Sequence, residues 1–226
     1  MAITLETLRS QVRSRTNMEN SQFVTDDECD LYINQGYEEL YDYLVNSFED
    51  YSLTSQELTL GSGDILYFSP NLYKLRGVDK KISNNNWYSL QRFMFKDRNK
   101  YNNSPSILYE NIYNNVQYNM EGDHIRFIPS EQAVGTYKIW YIPNITLLDG
   151  YVNVRSDLEK FVDYIITSAS IKCLAKEESD VSVFGAQLEM IKQRITKMMT
   201  NRDDAIPKRV GSWQDAEYRG LGWWNR

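Results

Sequence analysis

Residues 1–50 and 153–200 carry apolar side chains at helical spacing, while the stretch between them, 51–152, alternates and turns. An amphipathic helix pair cannot bury its whole apolar stripe by itself, so each terminal block needs a partner, and the other block is the nearest one. The pattern therefore predicts an α+β fold. It has a discontinuous four-helix bundle with halves at 1–50 and 153–200, an inserted β-rich domain at 51–152, and an extended C-terminal tail at 201–226.

The helical blocks carry their own punctuation. Leu5, Leu8 and Val12 form a short stripe with Thr4 as N-cap and Arg9, Arg13 and Arg15 on other faces. Thr25-Asp26-Asp27-Glu28 reads as a capping box, with Val24 and Cys29 at the staple positions. The helix behind it stacks Ile33, Tyr37, Leu40, Tyr41, Leu44 and Phe48 on one side. Ser156-Asp157-Leu158-Glu159 reads as a second box, opening a helix that aligns Leu158, Phe161, Val162, Ile165, Ile166, Ala169 and Cys173. A last helix repeats Val181, Phe184, Leu188, Ile191, Ile195 and Met198 at spacings of three and four, a heptad-like seam for antiparallel packing on the third.

In the middle block Leu58, Leu60, Ile65, Tyr67 and the run from Tyr137 to Ile142 look like strands. Gly61-Ser62-Gly63-Asp64, Ser83-Asn84-Asn85-Asn86 and Gly122-Asp123 supply turns, because Gly and Asn tolerate positive φ. Residues Leu90 to Arg98 read as a short helix lying on the sheet.

The chain has 226 residues, 42% of them hydrophobic and 25% charged, enough to fill a sizeable core. No stretch approaches the roughly 18 uncharged apolar residues of a membrane span, and the N-terminus lacks an apolar signal core, so the expectation is a soluble protein that does not engage a membrane. Cys29 and Cys173 stand far apart inside helical patterns, which suggests neither a disulfide framework nor a metal site. His124 has no serine or cysteine motif near it and reads as a surface turn residue. Phosphate loops, HExxH helices and cysteine pairs do not occur. The expectation is a protein that is not an enzyme and uses no cofactor, although folding could still bring two carboxylates together.

Charge is sorted along the chain. Between Asn17 and Tyr51 there are ten acidic residues and no Lys or Arg. Asp26, Asp27, Asp30, Glu38, Glu39 and Asp42 among them form either a solvated face or a wall that repels DNA or meets a basic neighbour. From Lys74 to Tyr101 the balance is basic, with Lys74, Arg76, Lys80, Lys81, Arg92, Lys96, Arg98 and Lys100 interleaved with Trp87, Tyr88 and Phe93. Such interleaving suits single-stranded nucleic acid, but strands favour aromatics anyway and the net charge of −6 opposes a polyanion. After Asn201 helical period is lost, yet Trp213, Tyr218, Leu221, Trp223 and Trp224 remain, an aromatic content foreign to disordered tails. Those five are expected to anchor the tail on a partner.

Three segments carry a resemblance: RTNMENSQFVTDDECDLYINQGYEELYDYLV, FMFKDRNKY and KCLAKEESDVSVFGAQLEMIKQRI. They resemble the head-to-tail adaptor, or connector, proteins of short-tailed bacteriophages. The resemblance implies a structural virion protein in the neck between head and tail, made in the host cytoplasm. It implies a homo-oligomeric ring, usually of twelve copies, between the portal ring and the tail nozzle, with DNA passing through its channel without sequence-specific binding. In that family the C-terminal segment reaches into the portal, which suits the tail from Asn201 to Arg226. Some adaptors are credited with cell-wall hydrolysis, but no motif here transfers that activity. The rival readings are a different neck or tail component, a nucleic-acid-binding module, and a hydrolase with two convergent carboxylates.

Overall fold

The computed structural model describes residues 3–19, 21–68, 71–84, 86–99 and 116–200. Over these residues the chain is mixed α+β. Helices α1 (Leu5–Thr16) and α2 (Asp26–Ser47) precede the strands, and α3 (Val162–Lys176) and α4 (Ser182–Thr200) follow them.

Two of the expected caps form. The Thr4 hydroxyl accepts the Thr7 N–H at 3.2 Å. The Thr25 hydroxyl takes the Glu28 N–H at 3.3 Å while the Glu28 carboxylate takes the Thr25 N–H at 3.0 Å, with Val24 and Cys29 buried beside them. The box expected at Ser156 does not form. The Glu159 N–H that the Ser156 hydroxyl would have taken goes to the Arg155 carbonyl at 3.1 Å, which the Leu158 N–H also meets at 2.8 Å. A single 3-10 turn, Glu159–Phe161, leads into α3 without a side-chain cap, and the Asp157 carboxylate holds the Arg155 guanidinium in a bidentate pair at 2.8 and 2.5 Å.

The helices share one core. Leu8, Val12, Ile33, Tyr37, Leu40, Leu44, Leu158, Ile165 and Ala169 are all essentially excluded from solvent. Helix α3 packs against α1, α2 and α4. A Cβ on Gly36 would lie 3.2 Å from the Ile165 carbonyl oxygen, so the glycine permits the close approach of α2 and α3. On α4, Phe184, Leu188 and Ile191 are partly buried against this core and Ile195 is fully buried. The final seam position falls to Met199 rather than Met198, because a straight helix drifts by about 20° per heptad from a strict seven-residue repeat.

Eight strands are described: β1 (Thr54–Leu60), β2 (Ile65–Tyr67), β3 (Leu72–Ser83), β4 (Asn86–Ser89), β5 (Gln91–Arg92), β6 (Gln117–Glu121), β7 (His124–Ile128) and β8 (Gly135–Pro143). They form two sheets, β1-β8-β3-β4 and β2-β7-β6-β5, antiparallel except for β5 beside β6. Leu60, Val78, Tyr137 and Ile139 of one sheet and Leu66, Tyr118, Ile125 and Phe127 of the other share a second core, where the Phe127 and Tyr137 rings stack at 4.1 Å. The short helix expected over Leu90 to Arg98 is absent. The Leu90 N–H binds the Val78 carbonyl at 2.8 Å and the Phe93 N–H binds that of Tyr118 at 2.9 Å, so sheet edges claim this backbone and leave only the turn Phe95–Asp97 helical.

Strand β8 serves both cores. Tyr137 and Ile139 point into the sandwich, while Ile142, of opposite parity, is buried among the helices. The return segment follows it inward: Leu148, Val154 and Leu158 join the helical core, and the Val154 N–H binds the Ile3 carbonyl at 3.0 Å. Across the junction Tyr41 donates its hydroxyl to the Pro143 carbonyl, and Arg155 reaches the Ser52 hydroxyl at 2.7 Å with its guanidinium 5.4 Å from the Tyr41 ring centre. Glu49 pairs with Lys74 and Arg76, and Asp50 with Arg76.

Candidate interaction surfaces

Helix α2 buries the row Cys29, Ile33, Gly36, Tyr37, Leu40, Tyr41 and Leu44, and its acids fall on the flanks and the outer face. The flank toward α1 is neutralised. Asp30 takes a two-pronged hydrogen bond from Arg9 at 2.7 and 2.5 Å, and Asp26 meets Arg13 at 2.6 Å. Arg13 also binds the carbonyls of Met18, Ser21 and Val24, at 2.9 to 3.2 Å, which shapes the α1–α2 turn. These two guanidinia line an open hollow of about 850 Å³ with Glu6, Glu19 and Asp26, and both are already matched by carboxylates.

The flank toward α3 is neutralised too. Glu39 accepts from the Ser168 hydroxyl at 2.8 Å and Lys172 at 2.7 Å, and Glu28 pairs with Lys176 at 2.6 Å. The Lys176 hydrogen bond, helped by the Thr25 N–H, holds the Glu28 carboxyl below its ordinary range. Of the six acids singled out in the sequence, Asp26, Asp30 and Glu39 thus join α2 to α1 and α3. Asp27, Glu38 and Asp42 face solvent on the outer face, in line with Leu31, which is 54% exposed. Asp42 also lies near the Tyr73 hydroxyl, whose pKa burial and this carboxylate raise.

The basic, aromatic stretch is largely turned on itself. Lys74 and Arg76 are paired to the end of α2 as described. Lys80 is partly buried, binds the Gln132 carbonyl and lies over the Tyr137 ring, and burial lowers its pKa. On the outer face of the larger sheet Lys138 sits between the Trp87 and Trp140 rings, at 5.5 and 4.9 Å, and Lys81 is 5.4 Å from Trp87. The Trp140 indole N–H donates to Asp79 at 2.6 Å. These rings are covered by lysine from the protein itself, which leaves less open π-face for a base than the sequence suggested. Lys96 and Arg98 are more open, and Lys100 lies outside the described residues.

His124 begins β7 beside the Gly122-Asp123 turn. It is half-buried against the Tyr67 ring at 5.7 Å, and its Nδ1 lies 3.0 Å from the Asp123 carboxylate, which it holds below the ordinary range. Cys29 and Cys173, 144 positions apart, are buried in the core shared by α2 and α3, close enough for each thiol to perturb the ionisation of the other. Their distance in the chain hid this proximity from sequence reasoning. Among the described residues no group of three His, Cys, Asp or Glu could hold a metal ion, and no helix is long and apolar enough to cross a membrane.

A surface missed by sequence reasoning lies on α4. Val183 and Met190 are each 63% exposed and share a helical stripe with Gln187, Arg194 and Lys197. Gln187, Met190, Ile191 and Arg194 form one wall of an open groove of about 320 Å³, opposite Arg15 of α1 and Asp163 and Thr167 of α3. The signal was present as a second three-and-four repeat on α4, offset from the seam. The tail anchors Trp213, Tyr218, Leu221, Trp223 and Trp224 lie outside the described residues. No known family's model matches the chain, and no curated protein matches it either.

Proposed function

We propose that this chain is a structural subunit of a bacteriophage neck, a ring-forming adaptor that joins a portal to a tail and surrounds the DNA path, with no catalytic turnover. On this reading the four helices are one discontinuous bundle, the strands between them are an inserted domain, and the residues after Asn201 are an extended arm for the portal. The observation that carries it is the division of the α2 acids. Those on the flanks are matched by cations of α1 and α3, whereas Asp27, Glu38 and Asp42 line the outer face without an Arg or Lys partner among the described residues. A negative face of this kind repels DNA from a channel wall or meets a basic neighbour. The resemblance of the three segments gives the reading its biological setting. Many copies docking together turn a weak tail contact into a durable joint, since each later contact is effectively intramolecular.

Negative-stain imaging of the chain with and without portal rings tests the reading. Ring-on-ring complexes are expected, and truncation after Asn201 should abolish them while leaving the circular dichroism spectrum of the body intact. Salt-sensitive DNA binding by the isolated subunit, with no portal attachment, would replace this reading with a nucleic-acid-binding module.

A further inference from the structure

The two exposed stripes of the helical body have opposite charge and point in opposite directions. The α2 stripe runs Asp27, Leu31, Glu38, Asp42, and the α4 stripe runs Val183, Gln187, Met190, Arg194, Lys197. Each spans about 21–23 Å at 1.5 Å per residue, and each has an exposed apolar side chain, Leu31 or Met190, within the charged row. No ion pair within the described residues satisfies Asp27, Glu38, Arg194 or Lys197. The direct contact of α2 with α4 shows how the two stripes are disposed. Tyr43 of α2 donates its hydroxyl to the Lys192 carbonyl of α4 at 3.1 Å and lies 2.5 Å from the Thr196 hydroxyl. At 100° per residue Tyr43 lies about 130° around α2 from the acidic stripe, and Thr196 about 140° around α4 from the basic one. The two stripes therefore turn away from each other, and the acidic stripe cannot reach the basic stripe of its own subunit.

We infer that the α4 groove receives the acidic face of α2 from a second copy of this chain, in a head-to-tail contact. The occupant is identified by charge: Arg194 and Lys197 meet Glu38, Asp42 and Asp27, and Leu31 and Met190 supply the apolar centre. Such a contact is heterologous, because the surface given differs from the surface received. Copies joined this way close into a ring where the rotation permits and otherwise run on as a filament. The inference deepens the ring reading of the previous subsection by naming the surfaces between neighbours. It is testable without portal or DNA.

The experiment is sedimentation velocity on the full-length protein over a concentration series at low and high salt. The wild type is expected to self-associate at low salt and dissociate as salt screens the contact. Arg194→Glu with Lys197→Glu, or Asp27→Lys with Glu38→Lys, should each raise the dissociation constant by about tenfold or more, because every neighbour then presents like charge. All four substitutions in one chain restore opposite signs across the contact and should restore association. Circular dichroism checks that each variant folds. A wild type that remains monomeric at low salt throughout the series overturns the inference, and so does association that neither charge pair affects. Truncation after Asn201 should leave association unchanged, and its loss would assign the groove to the tail and overturn the inference as well. Portal attachment is read separately by imaging, so a failed contact here and a failed adaptor reading give different results.

Discussion

The helical body and the sandwich solve the same problem, holding distant segments in one register, by different means. In the body each contact among the first three helices carries a charged pair: Arg9 with Asp30 between α1 and α2, Arg15 with Asp163 between α1 and α3, and Glu39 with Lys172 between α2 and α3. In the sandwich the core is held by rings, Phe127 on Tyr137 and Phe68 against Tyr141, with lysines laid over the outer tryptophans. The difference follows from the geometry of the elements. A strand that slips by one residue turns its apolar set to solvent, so the pleat itself specifies register. A helix can slide or rotate by one turn and still bury an apolar stripe, so directional polar pairs are needed to choose among the alternatives. Ile142 on β8 ties the two solutions together, since one strand feeds both cores.

The sharpest way to break the comparison is through the sandwich core. Phe127→Ala removes the stacked partner of Tyr137 and should cost about 3–5 kcal/mol. Amide hydrogen exchange should then show strand protection falling more than helix protection. Equal loss everywhere would make the two cores a single cooperative unit. Ile142→Ala should cost about 2–5 kcal/mol and do the reverse, loosening α2 and α3 although the substitution lies on a strand.

A smaller effect tests the junction. Arg155→Met removes the fork to Asp157 and the bond to Ser52, both partly solvated, and should cost about 1–3 kcal/mol in urea unfolding. Burial tends to raise the Asp157 carboxyl, and the hydrogen bond and charge of Arg155 outweigh it, so the folded pKa lies below the ordinary value. That contribution is present above the unfolded pKa, near 3.8, and is lost as the pH falls through the lower folded value. Wild type should therefore lose part of its margin over Arg155→Met below about pH 4, as followed by thermal melts across pH. Thr25→Ala, which removes one half of the α2 box, should cost the least, about 0.5–2 kcal/mol, and should fray only the start of α2 in exchange experiments.

Local chemistry explains what was legible in the sequence. The caps at Thr4 and Thr25, the staple of Val24 and Cys29, the stripe of α2 and the strand from Tyr137 to Ile142 depend on residues within a turn or two of each other, and the period of the side chains is enough to place them. Where another partner competed for the same backbone groups, local reading failed. The Arg155 carbonyl took the Glu159 N–H from the expected cap at Ser156, and the edges of β3 and β6 drew Leu90 and Phe93 out of the expected helix. The acids of α2 were plain as a set, but only tertiary packing divided them into those matched by Arg9, Arg13 and Lys172 and those left on the outer face. The proximity of Cys29 to Cys173 and the groove between Met190 and Arg15 were decided in the same way. The sequence by itself determined the four helices, the strands β1, β2 and β8 and the apolar faces of the helices, because period and capping are properties of neighbouring residues. Which charges are neutralised and which surfaces stay open depends on groups as far apart in the chain as Arg15 and Met190, and only the tertiary structure decides that.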